Sequence, residues 1–409
     1  MSRLLVVGAG PMRAAAFAEW RAMGLSVVLA DGWSASRYEH LVDEFEPLDP
    51  RDGSADLAAV TRLARGCDGL VTLSDDCQET AAAVAATLGL PGVGRAAAAT
   101  ARSKGRQREL CERAGMWVPR WRTVREPADL RAYFADGDRA AVLKPVDSAG
   151  SAGVLRVGTL REALREWPVV RSLSPSRTAV VEDFITGREV CVEAVVSDGE
   201  PVFVSVTDKQ VRGPHGFVVV ALGVAARQPD RAAATRFVRR LVAAVGLEQG
   251  VVHAECKVDG DRWGMVEAGF RPGGDLIPDL TARATGVHVY RELARVALGE
   301  RPSGAPTGGR TAAFTAVRFL VGGGQVRRLV PPALALTGLP DVRIVNQLFA
   351  PGQRVRLPMS NHGRAGYAVG WGRDWAALDD QLRRALVRLG TEMGLAVADP
   401  EVTASHAAA

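Results

Sequence analysis

The chain has 409 residues, enough for two or three packed domains, with 47% apolar and 24% charged residues as in ordinary globular proteins. It has no run of eighteen apolar residues to span a membrane, and Leu4 to Val7 is too short for the apolar stretch of a signal peptide, so a cytoplasmic protein is expected. The net charge of +5 is spread along the chain without a basic run carrying aromatics, which argues against nucleic acid and suits a phosphate-bearing ligand.

The opening reads as a strand (Leu4 to Val7), a glycine turn (Gly8-Ala9-Gly10), a helix to Ala22, and a second strand, Leu25 to Ala30, closing on Asp31. This is the start of a doubly wound α/β unit. The turn invites an NAD reading. Arg13, however, stands where G-x-G-x-x-G has its third glycine and would crowd the approach of helix to strand, so a plain scaffold or a substrate-pocket wall is expected instead. A strand at Leu70 to Leu73 precedes an alanine-rich helix, Glu79 to Leu88, and Gly89-Leu90-Pro91-Gly92 marks a domain edge. Next come a helix from Ser103 to Arg113, a strand into Lys144, and a small-residue loop from Asp147 to Gly153. Antiparallel strands are expected over 178–206 and 250–271, with a helix near 231–245 between them. The stretch 301–309, rich in Pro, Gly and Ser, reads as a connector. Strands near 311–320 and 364–369 and an amphipathic helix over 375–389 follow, and 404–409 is expected to fray.

Five cysteines (Cys67, Cys77, Cys111, Cys191, Cys256) are scattered and lack C-x-x-C spacing. They read as buried reduced thiols rather than a disulfide framework or a zinc site. Of the 51 basic residues only four are lysines: Lys104, Lys144, Lys209 and Lys257. Where arginine serves every generic positive charge, the remaining lysines mark places that need a compact ammonium.

Three motifs carry chemistry. In the first, Lys144-Pro145 leads into Asp147-Ser148-Ala149-Gly150-Ser151-Ala152-Gly153, whose small residues let backbone N–H groups wrap phosphate oxygens; the absence of a G-K-[ST] ending excludes a Walker loop. In the second, Val181-Glu182-Asp183-Phe184-Ile185 can offer backbone groups and a carboxylate to adenine, and Glu189 can take ribose hydroxyls. The third is the most specific. Alternation puts His253, Glu255 and Lys257 on one face of a strand, and Met265, Glu267, Gly269 and Arg271 share a face after the turn Asp259-Gly260-Asp261. If the two strands pair, charges converge on one sheet surface, and desolvating them is costly without a ligand. Paired carboxylates with open positions suit Mg²⁺ on nucleotide phosphates.

Taken in order, these parts resemble the ATP-grasp superfamily over nearly the whole chain, and within it the carboxylate–amine ligases that make dipeptides, such as the L-amino-acid ligases and carnosine-synthase-like enzymes. The resemblance rests on Leu88-Gly89-Leu90-Pro91-Gly92, on Ser103-Lys104 and the helix to Gly115 and Pro119, on His253-Ala254-Glu255, and on Glu267 to Arg271-Pro272-Gly273-Gly274-Asp275. It implies a mixed α/β and α+β chain: an N-terminal doubly wound α/β domain (1–95), a central ATP-grasp domain (96–305) with a lid at about 116–189, and a C-terminal α+β region (306–409). By the same resemblance, Lys104, Lys144 and Lys209 would contact ATP phosphates beneath the loop bearing Ser148, Gly150, Ser151 and Gly153. Glu182 and Phe184 would lie at the adenine and Glu189 at the ribose. Glu255 and Glu267 would hold one or two Mg²⁺ ions, with Mn²⁺ an acceptable substitute. Arg271, Lys144, Lys257 and His253 are the catalytic candidates, and Arg271, Gly273, Gly274 and Asp275 the substrate contacts. Gly269 departs from the family pattern, which places a metal-binding asparagine there, and this leaves the metal count open.

The implied activity is amide formation between a small carboxylate and an amine, through an acyl phosphate, with release of ADP and phosphate. Neither a nucleic-acid nor a membrane partner is expected, and a homodimer is one assembly open to the chain. The rival readings are a biotin-type carboxylase acting on bicarbonate, an NAD-dependent oxidoreductase, and a nucleotide sensor without catalysis.

Overall fold

The structure is a computed structural model that describes residues 1–32, 35–213, 215–309 and 312–398. Near the N-terminus four parallel strands, Arg3–Val7, Ser26–Ala30, Glu44–Glu46 and Gly69–Val71, form a sheet in the order third, second, first, fourth. The first two are continuous apolar runs, as strands covered on both faces require. Phe17 and Trp20 of the helix Ala14–Ala22 pack on one face with Tyr290 and Leu293 of a distant helix, Val289–Ala297. Val60, Ala81 and Val84 pack on the other. Asp31 does close the second strand, but its carboxylate accepts the Ala9 N–H (3.0 Å) and so braces the glycine turn.

A second sheet of four antiparallel strands, in the order Trp121–Val124, Ala179–Asp183, Ala141–Pro145, Leu155–Val157, is backed by the helices Pro127–Tyr133 and Leu160–Ser172. It has its own core around Leu130, Leu143, Trp167 and Val181. Facing it is an eight-stranded antiparallel sheet. In order across the sheet, its strands are Arg262–Gly269, Gly250–Asp259, Arg188–Ser197, Glu200–Arg212, Val218–Ala225, Phe314–Leu320, Gly366–Gly372 and Val342–Gln347. Segments on both sides of the Pro/Gly-rich connector therefore share one sheet. The helix Arg231–Val245 covers one part of it through Phe237, Val238 and Leu241. The helix Trp375–Met393 covers another, held by a buried pair in which Arg318 donates to both oxygens of Asp379 (2.5 and 3.0 Å).

The predicted N-terminal elements, the helix Arg231–Val245 and the last helix are present to within a few residues. Two predictions fall partly or wholly outside the described residues: the start of the strand at 311 and the fraying of 404–409. A third is corrected. The antiparallel strands expected over 178–206 run beyond that range, since Thr207 to Arg212 belong to a thirteen-residue strand. The period-two pattern Val202, Val204, Val206 continues to Asp208 and Gln210 and fixes Lys209 in the sheet interior.

Candidate active site

The cleft between the two facing sheets has a volume of about 680 Å³. All four lysines line it, together with Glu182, Glu189, Glu255 and Glu267. Lys104 opens the helix Lys104–Arg113, which Ser103 caps by accepting the Arg106 N–H (3.3 Å). Lys144 points up from the small sheet, and Lys209 and Lys257 from the large one.

The cationic and anionic side chains interlock. Lys104 Nζ lies 3.0 Å from Glu267, Lys144 Nζ 2.6 Å from Glu182, and Lys257 Nζ 3.0 Å from Glu189. Lys209 Nζ bridges Glu189 (2.8 Å) and Glu255 (2.6 Å). Burial pushes the Glu189 carboxyl up, but Lys209 and Lys257 outweigh it and hold the group below its usual range. Burial likewise opposes the charge on Lys209, and Glu189 and Glu255 more than restore it. For Lys144 burial wins and its pKa falls. Glu182 is held down by Arg108, which is fully buried and donates to both its oxygens (2.9 and 3.2 Å).

Glu255 and Glu267 face each other across the predicted hairpin. The register slips by one residue at this point, so that Cys256 opposes Met265 and Val266 is the extra residue. This corrects the expectation that Met265 shares the charged face. Met265 is 1% exposed in the core, and the bulge keeps Glu267 beside Glu255. The two carboxylates reach the cleft from neighbouring strands, an all-oxygen donor set that fits Mg²⁺. A Cβ at Gly269 would sit 3.2 Å from Asp75 Oδ1, so Asp75 occupies the space beside this glycine.

The small-residue loop is built for close approach. Gly150, Ser151 and Gly153 all have left-handed backbone (φ 65°, 60° and 72°), a conformation that the glycines adopt without strain. Lys104 Nζ donates to Ser148 O (2.6 Å) and ties the loop to its helix. Ser148 and Ser151 line the cleft and Gly150 borders the adjoining cavity, whereas Gly153 packs against Pro145 and Leu173. Phe184 also lines the cleft, with Arg156 4.2 Å from its ring centroid.

The adjoining cavity, of about 1410 Å³, meets the cleft at Glu255 and Glu267. Arg271 lies there with its guanidinium on both oxygens of Asp75. Arg271 and His253 hold the Asp75 carboxyl down at about 2, against the burial that would raise it. His253 Nδ1 is 2.5 Å from Glu193 Oε1, and the other Glu193 oxygen accepts the Gly273 N–H (3.0 Å). A Cβ on Gly273 would sit 2.6 Å from Glu193, so only glycine fits. Asp275 borders the cavity with its carboxylate on Arg364 (2.5 and 2.8 Å) rather than free, and Gly274 lies beside it.

Sequence reasoning missed several of these residues. Arg13, read only as an intruder in a glycine motif, is buried and donates to the carbonyls of Gly273, Leu73 (3.0 Å) and Pro272 (3.2 Å). Asn361, His362 and Arg364 reach the cavity from the C-terminal region. Asn361 N–H donates to Gly150 O (3.0 Å), and its side chain accepts the Val219 N–H (2.9 Å). Arg108 and Glu193 act through partners 74 and 60 residues away, a separation that no local pattern reports.

Residues 138–279 match the family model of the ATP-grasp domain. Dapdiamide A synthase of Enterobacter agglomerans is 24% identical over 225 residues, 52% of this chain and 52% of that protein. Alanine–anticapsin ligase of Bacillus subtilis is 26% identical over 224 residues, 47% of this chain and 46% of that protein. The chain thus matches about half the length of these two relatives. The solved L-amino acid ligase of Bacillus licheniformis has the same fold, with a TM-score of 0.80 over 97% of this chain and 98% of that one at 21% identity. Residues 138–279 thus carry an ATP-grasp domain, and the chain as a whole has the fold of the solved L-amino acid ligase.

Proposed function

We propose that the protein is an ATP-dependent ligase that joins a small carboxylate to an amine through an acyl phosphate. The observation that carries this reading is the junction of the two cavities. Glu255 and Glu267 border both, so a nucleotide among the lysines would present its terminal phosphate to a substrate held beside Arg271.

In the first step a carboxylate oxygen attacks the γ-phosphorus, the bond to the β-phosphate oxygen breaks, and ADP leaves. Lys104, Lys144 and Arg271 offset the charge spreading over the transferred group, so that catalysis is mainly positioning and electrostatics. Mg²⁺ held by Glu255 and Glu267 would supply further charge neutralisation on the phosphates. In the second step the amine nitrogen attacks the carbonyl carbon, the C–O bond to phosphate breaks, and phosphate leaves. His253, with Nδ1 held by Glu193, keeps Nε2 facing the cavity and takes the amine proton. Residues 116–189 serve as the lid, excluding the water that would hydrolyse the acyl phosphate. The acid and the amine would be small molecules, held in the cavity beside Arg271.

Hydroxylamine in place of the amine tests this reading. With ATP, Mg²⁺ and the correct acid, a hydroxamate should accumulate in step with ADP. ADP release with no hydroxamate, across acids that support turnover, would count against an acyl phosphate.

A further inference from the structure

The spacing of the cysteines argues against zinc because it seeks ligands close along the chain. Strand pairing brings ligands together in another way. Cys191 lies directly opposite Glu255 in the central sheet, and His253 lies two pairs further along on the same face, opposite Glu193. One ligand atom from each of Cys191, His253 and Glu255 lies within 4.8 Å of the other two. All three border the larger cavity, so an ion can reach them.

The histidine is prepared for such a role. Glu193 is fully buried and holds Nδ1, so the Nε2 lone pair is free, and Nε2 lies 4.0 Å from Glu255 Oε1. A carboxylate behind an imidazole is the usual support of a metal-binding histidine, since it fixes the tautomer and raises ligand basicity. Glu255 has an oxygen to spare, because Lys209 engages Oε2 and leaves Oε1 facing His253. Cys191 contributes a thiol among Leu222, Val219 and Ile277.

We propose that Cys191 Sγ, His253 Nε2 and Glu255 Oε1 form a site for a borderline divalent cation of the zinc class, distinct in its donors from the all-oxygen Mg²⁺ position with which it shares Glu255, and that filling it arrests ligation. Sulfur and nitrogen donors select Zn²⁺ or Co²⁺ over Mg²⁺, which keeps to oxygen ligands. Bonds of about 2.0–2.3 Å to a tetrahedral ion require the donors to close to roughly 3.5 Å, a movement of about one ångström for side chains at a cavity wall. The metal–sulfur bond forms as the thiol proton passes to solvent. Three protein ligands leave a fourth position for water or substrate. The metal half of the proposal is independent of the ligase reading. The inhibitory half rests on it, since the ion would occupy the lone pair of His253 and one oxygen of Glu255.

The test titrates Co²⁺ into the intact chain without nucleotide. A thiolate-to-cobalt charge-transfer band should saturate at one equivalent, persist in Cys67→Ser, and vanish in both Cys191→Ser and Cys191→Ala. Glu193→Gln should weaken Co²⁺ binding by about 10–100-fold. No band in the unaltered chain, or a band surviving in both Cys191 variants, overturns the site. In a second arm Zn²⁺ should stop ADP release at saturating Mg²⁺, and Cys191→Ala should release ADP normally while tolerating at least tenfold more Zn²⁺. Equal sensitivity of the two proteins overturns the inhibitory half. Absence of ADP release before any Zn²⁺ is added counts against the ligase reading and leaves the cobalt result standing.

Discussion

Each lysine of the cleft is held by a glutamate, and removing either partner leaves the other charged where water is scarce. Arg108 is the sharpest case, since it grips Glu182 with two nitrogens while fully buried. Arg108→Met should cost about 3–5 kcal/mol in chemical denaturation, because an uncompensated buried charge is expensive; a loss under 1 kcal/mol would mean that Lys144 alone satisfies Glu182. Glu255→Gln leaves Lys209 paired with Glu189, so it should leave the unfolding midpoint nearly unchanged and lower ADP formation by about 100–1000-fold, the scale on which one preorganised electrostatic contact acts. Normal ADP formation would remove Glu255 from the account. At this scale the lysines were legible because they are rare, and Glu255 and Glu267 because alternation exposed them. Arg108 and Arg13 were hidden among the many arginines, and their buried partners lie far along the chain.

At the scale of elements, the hairpin 250–269 was readable from its alternation, whereas the bulge at Val266 was not. The pattern M-V-E fits either register, and only the need to bury Met265 against Cys256 selects one. The segment 358–364 had no signal of its own, since its part in the site consists of hydrogen bonds to Gly150 and Val219. Asn361→Ala removes the acceptor for the Val219 N–H, a loss of about 1 kcal/mol. By loosening the segment that holds the Gly150 loop it should raise the KM for ATP about fivefold in steady-state assays. An unchanged KM would separate this segment from the loop. The helix Ile277–Thr285 carries a second prediction. Burial pushes the Asp279 carboxyl up to about 6 from 3.8, and its Oδ2 makes no hydrogen bond among the described residues. A raised pKa means that the fold disfavours the ionised form. Stability should therefore be unaffected below the unfolded value and should fall as pH rises through about 6, by up to about 3 kcal/mol. Asp279→Asn should accordingly gain on the parent between pH 4 and pH 8 in denaturant titrations. Parallel pH profiles would contradict this.

Over the whole molecule, the site depends on parts of the chain that only the fold unites. The N-terminal sheet brings Asp75 to Arg271, the small sheet brings Lys144 and Glu182, the central sheet carries the glutamates, and the C-terminal strands extend that sheet and deliver Arg364 to Asp275. The order of these regions could be read from composition and glycine-rich junctions, because each begins with its own hydrophobic pattern. Their joining into one sheet across the connector could not, since strand order is a long-range property. The most direct test of the account is ADP release with ATP and Mg²⁺, assayed against pooled small carboxylates with and without amines. The account predicts ADP that appears only when an acid and an amine are both present, in equal amount to a new amide. ADP release that proceeds at full rate without any acid, or an inability to bind ATP at all, would contradict it.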